Sequence, residues 1–222
     1  MRVEIATLGT RPPLVIENAD WLAEAFFAVD PSGKPGGFDD KARETAPTRI
    51  ESKDVDAINR TMRARSPQKA WASVRDKDLP WLAAVSRDWD LAELQDPAWQ
   101  QAAPALETAL AALIEKGRGV SVSTKMLHLK RPRLVPVLDS LVVEQLGARM
   151  PSTPAKAVVL IGHVRQVAHH NREALDRIID HLAAQGVDRS VVRVLDALLW
   201  GSHKASWIAP LAPVIARWRA AK

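Results

Sequence analysis

A chain of 222 residues with 47% hydrophobic content can bury a substantial core, so we expect one cooperative helical domain over residues 1–222, with two lobes around a cleft as an option. It contains no cysteine, which excludes disulfide frameworks, iron-sulfur clusters, thiolate zinc sites and cysteine nucleophiles and makes the cytoplasm the default compartment. Charged residues interrupt the apolar stretches of residues 1–22, so we expect neither a signal peptide nor a membrane anchor there.

Apolar residues recur three and four apart along most of the chain, and this spacing predicts an all-α fold. At most a short strand is expected, over residues 3–8. The run Pro-Ser-Gly-Lys-Pro-Gly-Gly at residues 31–37 predicts a loop, because both proline and glycine disfavour regular structure. Ser52 is placed to cap a helix that runs to Met62, and Pro67 precedes a second helix that carries Trp71.

Further helices are predicted downstream. One starts near Pro80, and a longer one follows Pro97 and Pro104 and ends at Gly117. The remaining helices are predicted from Asp139 to Met150, from Pro154 to about 185 with a break near Gly162 or Asn171, from Asp188 to Trp200, and over about 204–219.

The net charge of +5 is concentrated in residues 116–149. Asp139 and Glu144 are the acidic residues of this segment, whereas its basic residues are Lys116, Arg118, Lys125, Lys130, Arg131, Arg133 and Arg149. A basic surface attracts a polyanion and releases its counterions, which is the usual source of nucleic-acid affinity. The alternative is that these residues only solvate helix surfaces.

A glycine-containing turn lies inside this basic segment. Residues 117–127 read Gly-Arg-Gly-Val-Ser-Val-Ser-Thr-Lys-Met-Leu, which predicts a helix, a glycine turn and a second helix. Glycine allows positive φ and close approach of another molecule, and the free amides that start a helix attract an anion such as phosphate. Many helical hairpins have such turns without a ligand, so the turn alone leaves phosphate binding open.

An apolar connection then delivers a carboxylate to the start of a helix. Residues 132–143 read Pro-Arg-Leu-Val-Pro-Val-Leu-Asp-Ser-Leu-Val-Val. The order Gly-Val-Ser-x-Ser-Thr, a short helix and Pro-Val-Leu-Asp resembles the hairpin and catalytic-aspartate block of the helix-hairpin-helix base-excision DNA glycosylases, of the 8-oxoguanine glycosylase type. The likeness covers about residues 117–150. The whole chain is also similar to an uncharacterised actinobacterial family, which implies no function.

The resemblance implies a DNA glycosylase that flips a modified or damaged base out of the duplex and hydrolyses its N-glycosidic bond in base excision repair. Asp139 would be the catalytic carboxylate, which stabilises positive charge on the sugar and orients the attacking water. Ser123 matches the position of the lysine nucleophile of bifunctional members, so a monofunctional enzyme is implied, with Lys125 a weaker catalytic candidate. Asp139 is alternatively a helix cap.

The resemblance also implies a DNA-binding surface in the hairpin and the basic segment after it. Gly117, Gly119 and Ser121 would shape the turn that contacts the DNA backbone. The predicted nucleic-acid-binding residues are Gly117, Arg118, Gly119, Ser121, Ser123, Thr124, Lys125, His128, Lys130, Arg131 and Arg133. A position at the edge of the core explains His128 equally well.

The chain has eight tryptophans and no tyrosine, and most tryptophans are expected to pack in the core. Trp200 and Trp207 flank a short polar stretch and are the candidates to line a pocket for an extruded base. Arg193 and Asp196 lie three apart on a predicted helix, a spacing that favours an ion pair.

Three hypotheses therefore remain open: a DNA glycosylase-like enzyme, a noncatalytic nucleic-acid-binding protein that keeps the fold, and a helical scaffold for protein partners. A basic pocket containing Asp139 favours the enzyme, a basic surface without a pocket favours simple binding, and an exposed apolar face favours the scaffold. We expect DNA as the partner, no membrane association, a monomer and no metal site. No cofactor is expected beyond a possible structural monovalent cation at the hairpin.

Overall fold

The computed structural model describes residues 1–29 and 38–203, which form a mainly helical fold with one small sheet. This confirms the prediction of an all-α fold with a short N-terminal strand. The described helices are α1 (Ala19–Val29), α2 (Phe38–Glu44), α3 (Ser52–Met62), α4 (Pro80–Ala83), α5 (Asp96–Leu113), α6 (Val120–Lys130), α7 (Ser140–Gln145), α8 (Pro154–His170), α9 (Arg172–Ala184) and α10 (Val191–His203).

The sheet is an antiparallel pair of short strands, β1 (Val3–Ile5) and β2 (Leu14–Ile16). The sequence predicted β1 but not its partner. The Asn171 side chain binds both backbone groups of Glu4. Its Oδ1 accepts from the Glu4 amide at 2.8 Å, and its Nδ2 donates to the Glu4 carbonyl at 2.6 Å. One side chain therefore fixes β1 to the junction between α8 and α9.

The buried apolar side chains form one contiguous cluster, in which α1 packs on α10 and α5 packs on α8. Gly162 lies within α8, where an added Cβ would be 3.1 Å from a ring carbon of Trp99. Glycine at this position permits close packing of α8 on α5 rather than ending the helix. The break predicted at Gly162 or Asn171 therefore falls at Asn171.

Several predicted boundaries differ from the structure. The N-cap of α3 is Glu51, which forms a capping box with Asp54, and not Ser52. The helix expected after Pro67 is a single 3₁₀ turn, Gln68–Trp71. The helix after Asp139 ends at Gln145, and Pro104 lies inside α5. The loop predicted at residues 31–37 and the helix predicted at about 204–219 lie outside the described residues.

A buried arginine follows the last residue of α6. The Arg131 guanidinium donates to the carbonyl oxygens of Pro47 at 3.1 Å and Lys130 at 2.9 Å, and also to those of Leu82 and Val85. Burial lowers the pKa of Arg131 to about 10, and the charge of Arg87 acts in the same direction. Arg131 thus joins the end of α6 to Pro47, which precedes α3, to Leu82 in α4 and to Val85, which follows α4.

Candidate functional site

The helix, glycine turn and second helix predicted from the sequence are present. Helix α5 ends at Leu113, and the Glu115 and Arg118 backbones exchange hydrogen bonds of 3.2 and 2.8 Å across the turn. Gly117 adopts φ +87°, a conformation that strains any residue with a Cβ, and Gly119 is the N-cap of α6. We call residues 114–119 together with α5 and α6 the hairpin.

Arg118 faces the protein interior rather than solvent. Its side chain is fully buried, donates to Glu115 at 2.7 Å and Ser73 at 3.1 Å, and lies 5.0 Å from the ring centre of Trp71. Burial lowers the pKa of Arg118, while the Glu115 carboxylate opposes that shift. The prediction that Arg118 contacts phosphate is wrong, because its guanidinium is buried and bonds to Glu115 and Ser73 instead.

Most of α6 is also buried, including Ser123, Thr124 and His128. His128 Nδ1 lies 2.5 Å from the Val135 carbonyl oxygen. Burial lowers the pKa of His128 to about 3, and the nearby Arg193 charge acts in the same direction, so the imidazole is neutral at pH 7. These side chains do not reach a DNA backbone, which corrects the prediction for all three and favours a core position for His128.

Lys130 and Arg131 are likewise internal, and the prediction that they contact DNA is wrong. The Lys130 ammonium donates to Asp54 at 2.6 Å, to the Ala46 carbonyl at 3.1 Å and to Thr45. Burial lowers the pKa of Lys130, and hydrogen bonding to Asp54 opposes that shift. The basic segment inferred from the sequence is therefore largely interior: Arg118, Lys125, Lys130 and Arg131 are buried, and Lys116, Arg133 and Arg149 are exposed.

A hydrogen bond brings the two catalytic candidates close together. The Leu138 amide donates to the Thr124 hydroxyl at 3.1 Å. Lys125 follows Thr124 on α6, and Asp139 follows Leu138 at the start of α7. Helix α6 and the Pro-Val-Leu-Asp connection are thus adjacent in the fold.

Asp139 is half-buried and caps α7. Its Oδ1 accepts from the amides of Leu141 and Val142, each at 3.0 Å, so the capping role left open by the sequence is present. Within the described part of the chain, Oδ2 accepts no hydrogen bond. One carboxylate oxygen of Asp139 is therefore structural, and the other has no hydrogen-bond partner among the described residues.

Lys125 is 9% exposed, and no described residue forms a hydrogen bond or an ion pair with its ammonium group. Burial lowers the pKa of Lys125, while the charges of Asp139 and Asp196 oppose the shift. The structure thus places a buried amine in the field of two carboxylates on separate helices.

Asp196 lies on α10 and pairs with Arg193 at 2.8 Å, which confirms the predicted ion pair.

The Trp200 ring packs edge-on against Phe26 with ring centres 5.7 Å apart. A role for Trp200 in a pocket stays a prediction, and Trp207 lies outside the described residues. Gly117, Gly119 and Ser121 are at least partly accessible, so their contact with DNA also stays a prediction.

A cleft of about 460 Å³ opens between α2, α9, the start of α10 and the chain near residues 87–93 and 132–133. Neither Lys125 nor Asp139 lines it, and of its basic residues the sequence indicated only Arg133 as a binding residue. We call it the arginine cleft, after the cationic residues that line it: Arg43, Arg87, Arg133, Arg172, Arg189 and Arg193. No sequence pattern joins these positions, which come from five separate segments.

Metal sites, membrane-spanning helices and apolar faces are the other features that could define a site within residues 1–29 and 38–203. No group of three or more histidine and carboxylate side chains there could hold a metal ion, and none of the helices is long and apolar enough to cross a membrane. A monovalent cation at the hairpin stays a prediction. The large apolar side chains exposed in this part of the chain are Val15, Met150 and Val159, on three different segments, so no continuous apolar face supports the scaffold hypothesis.

The fold and these contacts define a mainly helical protein whose glycine-turned hairpin places a buried lysine beside a capping aspartate. A family model matches residues 19–203, and the chain belongs to that family, a family of unknown function (DUF6308). The matched range includes the hairpin, Lys125, Asp139 and the arginine cleft. No curated protein and no solved structure matches the chain.

Proposed function

We propose that this protein is a DNA glycosylase-like enzyme that removes a modified or damaged base, with Lys125 and Asp139 as its catalytic residues. One observation carries the proposal: the hydrogen bond between Leu138 and Thr124 places Asp139 beside Lys125, a buried amine without a partner among the described residues. The Lys125 side chain is largely buried and forms no ion pair with a described residue, so a structural salt bridge does not account for it. Perturbed titrating groups of this kind cluster at functional sites.

The proposed chemistry uses the neutral amine. Burial shifts Lys125 toward its uncharged form, whose lone pair can attack C1′ of the sugar as the base departs with the electrons of the glycosidic bond. The free oxygen of Asp139 stabilises the positive charge that develops on the sugar. One Nζ proton passes to the departing base and the other passes to O4′ as the sugar ring opens, which leaves an imine between Nζ and C1′.

This route differs from the monofunctional hydrolysis that the sequence resemblance implies, in which Asp139 orients a water molecule and Lys125 forms no bond. The two routes predict different covalent species. Borohydride reduces an imine to a stable protein–DNA adduct, whereas hydrolysis leaves no adduct. The rate of the lysine route also rises with pH until the Lys125 amine is fully deprotonated.

The test incubates the wild type, Lys125→Gln and Asp139→Asn with a panel of modified-base oligonucleotides, both duplex and single-stranded. We expect the wild type to release a base and to form a borohydride adduct. Lys125→Gln should lose both by about 10³-fold, because the nucleophile is absent, and Asp139→Asn should slow base release by at least about 10²-fold. Lys116→Gln, which changes an exposed lysine at the hairpin turn, is the matched control.

Base release by Lys125→Gln at the wild-type rate would exclude the lysine route and leave the hydrolytic one. Salt-dependent binding of DNA without release of any base would instead favour the noncatalytic binding protein. The proposal implies DNA as the partner and a monomeric enzyme. It also places the protein in the cytoplasm, which suits a chain without cysteine.

A further inference from the structure

The arginine cleft is distinct from the site of Lys125 and Asp139. Within the described part of the chain, the six cationic residues that line it are all arginines, although the chain also contains many lysines. Arginine presents a planar fork of donors that matches phosphate oxygens in pairs, whereas lysine acts as a point charge. A cleft lined in this way is suited to phosphate groups.

Carboxylates hold several of these guanidinium groups in place. Arg133 donates to the buried carboxylate of Asp90 at 2.9 and 2.8 Å, which leaves one terminal nitrogen of its guanidinium outside that pair. Arg172 contacts Glu93 at 2.6 Å and Asp176 at 2.8 Å, and these bonds raise its pKa. The arginines are thus ordered before a ligand arrives, which lowers the entropy cost of binding.

Two further arginines are ordered by aromatic rings. Arg189 lies 5.1 Å from the ring centre of Phe27, and Arg193 lies 5.2 Å from that of Phe26. The two rings pack edge to face with centres 5.2 Å apart. Stacking on an aromatic face fixes the plane of a guanidinium group.

The arginine cleft carries a positive excess. Among the described residues, four carboxylates line the cleft against six guanidinium groups: Asp90, Glu93, Asp176 and Asp188. Each of the four contacts an arginine of the cleft, and Arg87 is exposed without an ion-pair partner among the described residues. The positive charge of Arg87 also repels that of the buried Arg131 and contributes to its lowered pKa.

The arginine cleft is connected to the proposed catalytic residues through α10. Arg193 lines the cleft and pairs with Asp196, one of the two carboxylates that act on Lys125. Most of the hairpin side chains that were expected to bind DNA are instead buried. Resting on the proposed function, we propose that the arginine cleft, rather than the side chains of the hairpin, binds the phosphodiester backbone of the nucleic-acid substrate.

The test measures binding of a fluorescently labelled 20-nucleotide DNA, single-stranded and duplex, over a series of NaCl concentrations. The cleft variants are Arg87→Glu and Arg43→Glu, which change exposed side chains, so little effect on folding is expected. Lys116→Glu makes the same charge change at the hairpin turn, and Arg60→Glu makes it on α3. Circular dichroism confirms that each variant is folded.

Each cleft variant is expected to weaken binding about tenfold at low salt and to reduce the slope of log affinity against log salt by about one. Lys116→Glu and Arg60→Glu should bind as the wild type does. If the cleft variants bind normally while the wild type binds DNA, this inference is overturned and the proposed function stands. If Lys116→Glu alone loses affinity, the hairpin holds the backbone, and if the wild type binds no DNA, both proposals fail.

Discussion

The two buried lysines of α6 lie five residues apart and differ in nearly every other respect. Lys130 donates to Asp54, Ala46 and Thr45, so its three protons are all used. Lys125 is almost as deeply buried, yet none of the described residues forms a hydrogen bond with its ammonium group. Burial alone therefore does not distinguish a structural lysine from a catalytic one, whereas an account of the partners of each proton does.

Replacement of Lys130 tests this difference between the two lysines most directly. Lys130→Met removes the partner of Asp54 and leaves a buried carboxylate uncompensated, so we expect the free energy of unfolding to fall by about 3–5 kcal/mol. Urea denaturation followed by circular dichroism measures the change. A double variant, Lys130→Met with Asp54→Leu, should recover much of the loss because the orphaned charge is gone. A loss below 1 kcal/mol in the single variant would contradict the assigned ion pair.

His128 lies between the two lysines, and its titration sharpens the comparison. Its pKa of about 3 lies below the unfolded value of 6.5, so the stability contributed by the neutral imidazole is complete above pH 6.5 and is lost as the pH falls toward 3. Between pH 7 and pH 4 this group should lower the free energy of unfolding by about 3 kcal/mol. His128→Gln keeps a hydrogen-bond donor without a titrating group, and it should show a shallower dependence on pH. Identical profiles for the two proteins would rule out this contribution.

Replacement of Lys125 should change the free energy of unfolding in the opposite direction to replacement of Lys130. Lys125→Met removes a buried charge that lacks a partner among the described residues, so the free energy of unfolding is expected to rise by roughly 1 kcal/mol. The same urea titration measures it, and base release by this variant should be lost. A substantial decrease in stability would indicate that Lys125 is structural, and the difference between the two lysines would disappear.

An effect of similar size is expected at the turn that leads into α6. Gly117→Ala places a Cβ on a backbone with φ +87°, where the nearest contact, with the Ala70 Cβ, would be an ordinary 3.6 Å. The cost is therefore one of backbone strain, about 1 kcal/mol. Gly119→Ala is the matched control, since its Cβ would meet no atom within 4 Å and its φ is negative. Equal costs at both positions would show that the conformation of Gly117 is not responsible.

The sequence predicts several local features correctly, although it misplaces some helix boundaries, and it does not predict the distant partners. The hairpin, the break at Asn171 and the pair Arg193–Asp196 each depend on residues a few positions apart, where spacing determines the geometry. Lys130 and Asp54 are 76 residues apart, and no periodicity links them. The charge of residues 116–149 was therefore assigned to the surface, although most of it is interior. The arginine cleft was missed for the same reason.

Arg131 has a consequence for how this part of the protein opens. Its guanidinium replaces the water that would otherwise hydrate the carbonyl groups of Leu82, Val85 and Pro47, and it has no carboxylate partner among the described residues. If the stretches around residues 47 and 82–85 separate from the end of α6, the buried guanidinium of Arg131 loses its hydrogen bonds to them. Amide hydrogen exchange in the three segments should accordingly occur in one concerted opening event, although they are far apart along the chain.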